Sequence, residues 1–204
     1  MEHNFPLYEK TTPYIIGFHG CDQSVADILL SSEQPTFKKS TNNYDWLGNG
    51  MYFWENDPNR AWEYILEVQK REPDRIINPT VVGAVLDLGH CLNLVENKYI
   101  NLLRDTFNKY KAGMDDNRLE MPINKGASSN DHDRLFRHLD CAVIEFIHTL
   151  ADYEPFDSVR GMFIEGGAVY EGAGFHEKTH VQIAIRNPEM IKGYFRPLIN
   201  HIEI

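Results

Sequence analysis

The sequence predicts a mixed α+β fold built on a largely antiparallel sheet. Extended and helical segments alternate through the first half, whereas three extended segments, 159–165, 179–186 and 191–195, follow one another near the C-terminal end. The chain also lacks the glycine fingerprint of a doubly wound sheet. Gly48 and Gly50 are followed by Phe53 where a third glycine would stand, and the segment enters a strand rather than leaving one. With 204 residues, 42% of them hydrophobic and 25% charged, the chain is long enough for one domain, 1–204, with a well-buried core.

Residues 13–20 (PYIIGFHG) read as a short buried strand ending in a His-Gly turn. Residues 22–30 form a helix capped by Asp22 or Ser24, with Val25, Ile28 and Leu29 as the inward stripe. A polar loop, 31–43, leads into the stretch around which the chain is organised, NYDWLGNGMYFWEN at 43–56. Its aromatic residues flank a Gly48-Asn49-Gly50 turn, 51–54 has the bias of a strand, and Asp57-Pro58 supplies an N-cap and a first helical residue. The helix from Pro58 carries Ala61, Ile65 and Val68 at helical spacing and stops before Pro73. Residues 80–88 (TVVGAVLDL) form a strand, and 98–111 a helix with Leu102, Leu103 and Phe107 inward. The polar run 113–133, with Gly126-Ala127-Ser128-Ser129-Asn130, reads as a connecting loop. In 134–150, Leu135, Leu139, Ala142, Val143, Phe146, Ile147 and Leu150 mark one buried helical face.

Several function classes are disfavoured. A net charge of -10 argues against a broad groove for a phosphate backbone. Cys21, Cys91 and Cys141 are odd in number and contain no CxxC pair, which fits neither a disulfide framework nor a zinc ribbon and points to a reducing cytoplasm. The opening residues lack the apolar core of a signal peptide, and no run approaches the ~18 apolar residues of a membrane span.

His176-Glu177-Lys178-Thr179-His180 fits the zinc-peptidase string HExxH, which works only on a helix, where i and i+4 share a face. Gly172-Ala173-Gly174 precedes it and a strand-like alternation follows, so a zinc metallopeptidase through His176, Glu177 and His180 is discounted and no metal is expected. The aromatic residues and glycine turn of 43–56 suit a flat ligand such as a nucleotide base or nicotinamide, or else an ordinary aromatic core beside a tight turn.

GFHG ahead of one helix and GNGMYFW ahead of another resemble the catalytic domain of ADP-ribosyltransferases of the diphtheria-toxin and poly(ADP-ribose)-polymerase type. The resemblance spans about 15–195. It implies a His-Tyr-Glu triad whose first two places fall on His19 and Tyr52, and whose third falls on Gln182 in THVQIAIRNPEMIKGYF. Polymerising members carry Glu there, so the resemblance implies transfer of a single ADP-ribose, or a weakened enzyme. NAD is the implied co-substrate. Gly20 backbone groups would bind its amide, Tyr52 or Tyr44 would stack the nicotinamide ring, and His19 and Gln182 would orient ribose hydroxyls. Ser40 and Gly50 would be additional NAD contacts, and Glu177 would act as base on the acceptor, with Glu165 as substitute for the missing triad carboxylate. The implied acceptor is a macromolecule, protein or nucleic acid, and a bacterial toxin, effector or defence protein of this kind would be matched by an antitoxin or immunity protein. A catalytically inactive NAD- or ADP-ribose-binding module is the alternative.

Overall fold

A computed structural model of the chain describes residues 14–32, 38–126 and 133–198. β1 (Ile15–Asp22) ends where the Asp22 carboxylate caps α1 (Gln23–Ser31), accepting from Ser24 N at 3.0 Å. β2 (Met51–Glu55) leads at once into α2 (Pro58–Arg71), whose N-cap Asp57 accepts from Arg60 N at 2.9 Å. β3 (Pro79–Leu86), β4 (Cys91–Asn93) and α3 (Asn97–Asp116) follow, then the two-residue strands β5 (Asn124–Lys125) and β6 (Phe136–Arg137) and α4 (His138–Ile147). β7 (Ser158–Phe163), β8 (His180–Ile185) and β9 (Ile191–Phe195) complete the order.

Seven strands form one sheet in the order β4-β7-β8-β2-β1-β3-β9, and β5 pairs with β6 apart from it. Only β4 and β7 run parallel; every other neighbouring pair is antiparallel. The expected mixed α+β architecture with a mostly antiparallel sheet is therefore what the chain adopts. Among the described residues no helix is long and apolar enough to cross a membrane.

Strand alternation sorts the two largest core clusters onto opposite faces of the sheet. Met51, Phe53, Ile183 and Ile185 pack with Ala84 and Leu86 on one face. Leu47, Val159 and Ala184 pack with Ile144 and Ile147 of α4 on the other, where Tyr52 joins them. α2 presents Ala61, Ile65 and Val68, all buried, as its spacing predicts.

Three local expectations are corrected. α1 buries Ala26 and Leu29 against Cys21 and Val82, leaving Val25 and Ile28 41% and 62% exposed. The small Ala26 lets the helix approach the sheet, which turns the bulkier pair outward. α4 starts at His138 rather than 134, because Phe136 and Arg137 are committed to pairing with Lys125 and Asn124. Its buried residues are Cys141, Val143, Ile144 and Ile147. The polar run 113–133 is likewise not all loop: α3 extends through Asp116 and β5 interrupts it, while 127–132 lie outside the described residues.

Candidate active site

β1 and β2 pair only at Gly17↔Glu55 and Phe18↔Trp54 and then part. Ile16 O accepts from Asn56 N at 2.9 Å, so the even-numbered residues of β1 aim their backbone groups toward β2. The next ladder bond would join Gly20 N–H to Tyr52 O. The His19 imidazole takes that place instead, with Nδ1 2.7 Å from Tyr52 O. A carbonyl can only accept, so Nδ1 carries the proton and donates. β1 and β2 therefore stop pairing here, and the Gly20 N–H and C=O point into the notch between them, with Gly20 itself buried under α2.

The glycine at 20 has a packing reason as well. A Cβ there would lie 2.4 Å from Ala61 O and 2.8 Å from Ile65 Cβ, so only glycine lets α2 lie this close to β1. Burial holds the His19 imidazole down at about 4, outweighing the opposing effect of its bond to Tyr52 O, and Arg75 nearby pushes the same way as burial. His19 is therefore neutral at pH 7.

Tyr52 faces Ala184 and Trp54 faces Gln182 across β2 and β8, so Tyr52, Trp54 and Gln182 project from one face of the sheet. The Tyr52 hydroxyl donates to Gly48 O at 2.6 Å and accepts from Leu47 N at 2.8 Å, fixing the ring over the preceding turn. Burial raises its phenol well above the ordinary tyrosine value, so it stays protonated. By the same alternation His19 leaves the opposite face, beside Phe53, with ring centroids 6.0 Å apart. The three triad positions thus occupy three adjacent strands, β1, β2 and β8, and His19 meets the Tyr52 backbone rather than its ring. Among the described residues the half-buried Gln182 amide has no hydrogen-bond partner.

Ser40 and Gly50 are joined to each other by two backbone bonds, Ser40 N to Gly50 O at 2.8 Å and Gly50 N to Ser40 O at 3.1 Å. The Ser40 hydroxyl accepts from Asn42 Nδ2 at 2.9 Å. Tyr44 is 36% exposed and stands edge-on to Phe136. Glu177 is exposed, five residues before Gln182, and accepts from Gly167 N at 3.3 Å within the loop between β7 and β8. Glu165 is no free carboxylate: it is buried in an ion pair with Arg60 of α2 at 2.9 Å. The HExxH string is not helical. His176 sits in the loop with Nδ1 2.9 Å from Gly166 O, and His180 opens β8 with Nδ1 2.6 Å from Lys178 O.

Two features were not anticipated from sequence. Tyr64 on α2 packs on Trp54 with ring centroids 4.9 Å apart, is 37% exposed, and lies within electrostatic reach of Tyr44. Its signal was an aromatic on α2 three residues from the buried Ala61, the i, i+3 spacing that sets residues side by side on one helix. The second is Glu145 of α4, which grips the glycine turn together with Arg186. The chain has no significant match among family models, curated proteins or solved structures.

Proposed function

We propose that the protein is a cytoplasmic, NAD-dependent mono-ADP-ribosyltransferase with the fold of that family, acting on a macromolecular acceptor as a bacterial toxin, effector or defence protein. The observation that carries this reading is the notch between β1 and β2. His19, Tyr52 and Gln182 lie on three adjacent strands there, Tyr52 and Gln182 on one face of the sheet and His19 on the other, and Gly20 turns toward β2 an N–H and a C=O of the kind a carboxamide requires.

In this reading the nicotinamide amide pairs with the Gly20 backbone while Tyr52, with Tyr44 or Tyr64, flanks the ring. The bond from ribose C1′ to the nicotinamide nitrogen breaks with its electron pair going to nicotinamide, which leaves an oxocarbenium-like ribose. The acceptor nucleophile then bonds to C1′ and gives up its proton. Gln182 orients ribose hydroxyls without supplying negative charge, and neutral His19, on the other face of the sheet, holds the Tyr52 backbone in place. Glu177, on the loop beside the β8 strand, is the proposed base for the acceptor. Val169, Tyr170 and Phe175 are exposed on that loop among Glu171 and Glu177, a surface that suits a protein acceptor better than a phosphate backbone.

One observation favours the rival reading, an NAD- or ADP-ribose-binding module without turnover. Glu55, Glu145 and Glu165 are all ion-paired, to Arg160, Arg186 and Arg60, so none of them replaces the triad carboxylate. Incubation with labelled NAD and whole-cell lysate, split into protein and nucleic-acid fractions, separates the two. Label in a macromolecular fraction with free nicotinamide supports the transferase; NAD binding with neither supports the module.

A further inference from the structure

The turn before Tyr52 is held from outside β2. Asn49 donates to Glu145 twice, through its backbone N–H and its side-chain Nδ2, each at 2.8 Å. Arg186 binds both oxygens of the same carboxylate, and its Nη1 also donates to Asn49 O at 2.9 Å. One carboxylate from α4 and one guanidinium just past β8 therefore fix both sides of the Asn49 peptide. Gly48 is shaped to admit them: its φ is +72°, and a Cβ there would lie 2.4 Å from Glu145 Oε1. The Gly48 carbonyl and the Leu47 amide in turn bind the Tyr52 hydroxyl, at 2.6 Å and 2.8 Å. A continuous chain of charge-assisted and neutral hydrogen bonds thus runs from the ion pair to the phenol.

Resting on the NAD reading above, we infer that Glu145, with Arg186, is a positioning residue that sets the orientation of the Tyr52 ring against nicotinamide through the Gly48-Asn49 turn. Arg186 is four residues beyond Gln182 in the chain, so the same ion pair ties the turn to the strand that carries the third triad position. Neither side chain touches the reacting atoms in this account. A ring that stacks on nicotinamide before and during bond cleavage contributes equally to ground and transition states, so loosening it raises KM and leaves kcat alone.

The test uses the full chain with Glu145→Gln, which keeps the size of the side chain and removes its charge, and Arg186→Lys as a second variant should the first not fold. Amide hydrogen exchange at Asn49 and Leu47 reads the turn without reference to NAD. Protection is expected to fall at both amides together, because one is held by Glu145 directly and the other through Tyr52. KM for NAD in nicotinamide release is expected to rise about tenfold, with kcat within about twofold, as for a lost charge-assisted bond partly made good by the neutral amide. Combined with Tyr52→Phe, the effects on KM should be less than additive, since both act through the Tyr52 hydroxyl. Loss of protection at Asn49 alone, or strictly additive effects on KM, overturns the inference. If the wild-type protein turns over NAD and Glu145→Gln leaves KM unchanged, the positioning role fails while the transferase reading stands. If the wild-type protein does not bind NAD, yet both amides lose protection in the variant, the NAD reading fails and the role toward nicotinamide falls with it.

Discussion

Replacing Gly20 with alanine adds one methyl group at the point where α2 comes closest to β1. The new Cβ would sit 2.4 Å from the Ala61 carbonyl oxygen, 2.8 Å from Ile65 Cβ and 3.2 Å from Ile65 Cγ2. The first of these is backbone inside a helix and cannot swing aside as a side-chain tip would. Relief requires α2 to back away from β1 by something approaching 1 Å, roughly the shortfall from ordinary van der Waals contact. Overpacking of this kind costs about 1–3 kcal/mol. For a chain of this size, about 2–4 °C of melting temperature is lost per kcal/mol, which places the expected drop between roughly 2 and 12 °C. Tyr64 moves with the helix, and so does the wall facing the Gly20 backbone. NAD affinity is therefore expected to fall at least about tenfold, equivalent to about 1.4 kcal/mol of lost contact. Thermal melting and NAD titration of purified Gly20→Ala read the two effects separately. An unchanged melting temperature would mean that α2 does not lie against β1 as described. A lowered melting temperature with unchanged NAD affinity would place the nicotinamide somewhere other than this notch.

Tyr52→Ala is expected to weaken NAD binding, and so to suppress transfer at subsaturating NAD, with stacking worth about 0.5–1.5 kcal/mol beyond area burial; a soluble variant that binds NAD normally would make Tyr52 a core residue only. His19 adds a pH dependence. Its folded-state value of about 4 lies below the 6.5 of an unperturbed imidazole, so the unfolded chain binds the proton more readily between the two. Stability from this group is fully present above pH 6.5 and is lost as pH falls toward 4, by about 3 kcal/mol in all. Burial lowers His148 and His180 as well, so they add in the same direction. Urea unfolding from pH 7 to 4 should show the loss, and His19→Asn should reduce its slope; an identical slope in the variant would contradict the buried, neutral His19.

The sequence was most legible where local chemistry and tertiary packing agree. β2 and α2 followed from an aromatic strand, a glycine turn and the Asp57-Pro58 start, and all three inward residues of α2 are buried. α1 misled because Val25, Ala26, Ile28 and Leu29 supply apolar residues on most of the helix surface, and the sheet selects the stripe with the small residue. β4 and β5–β6 are two or three residues long, too short for any period to register. For the candidate site, the placement of His19 and Gly20, Tyr52 and Gln182 on three strands was legible because their glycine and strand context is local. The replacement of a ladder bond by the His19 imidazole was not, since it depends on where β1 and β2 part. Glu145 reaches the turn across 96 positions of chain, and nothing near it in sequence marks that contact. Glu165 reads as a spare carboxylate until Arg60 is found beside it.

The transferase claim turns most directly on Gln182, whose amide faces the same side of the sheet as Tyr52 and has no hydrogen-bond partner among the described residues. Nicotinamide release and acceptor labelling should be measured for the wild-type protein, Gln182→Ala and Gln182→Glu, with melting curves for all three. Removal of an orienting donor is expected to reduce transfer in Gln182→Ala roughly 10- to 1000-fold while NAD affinity changes far less. Gln182→Glu is expected to keep NAD binding and to raise NAD hydrolysis, because a carboxylate offsets the charge that grows on the ribose. Wild-type rates of nicotinamide release and labelling in a folded Gln182→Ala protein would contradict the account.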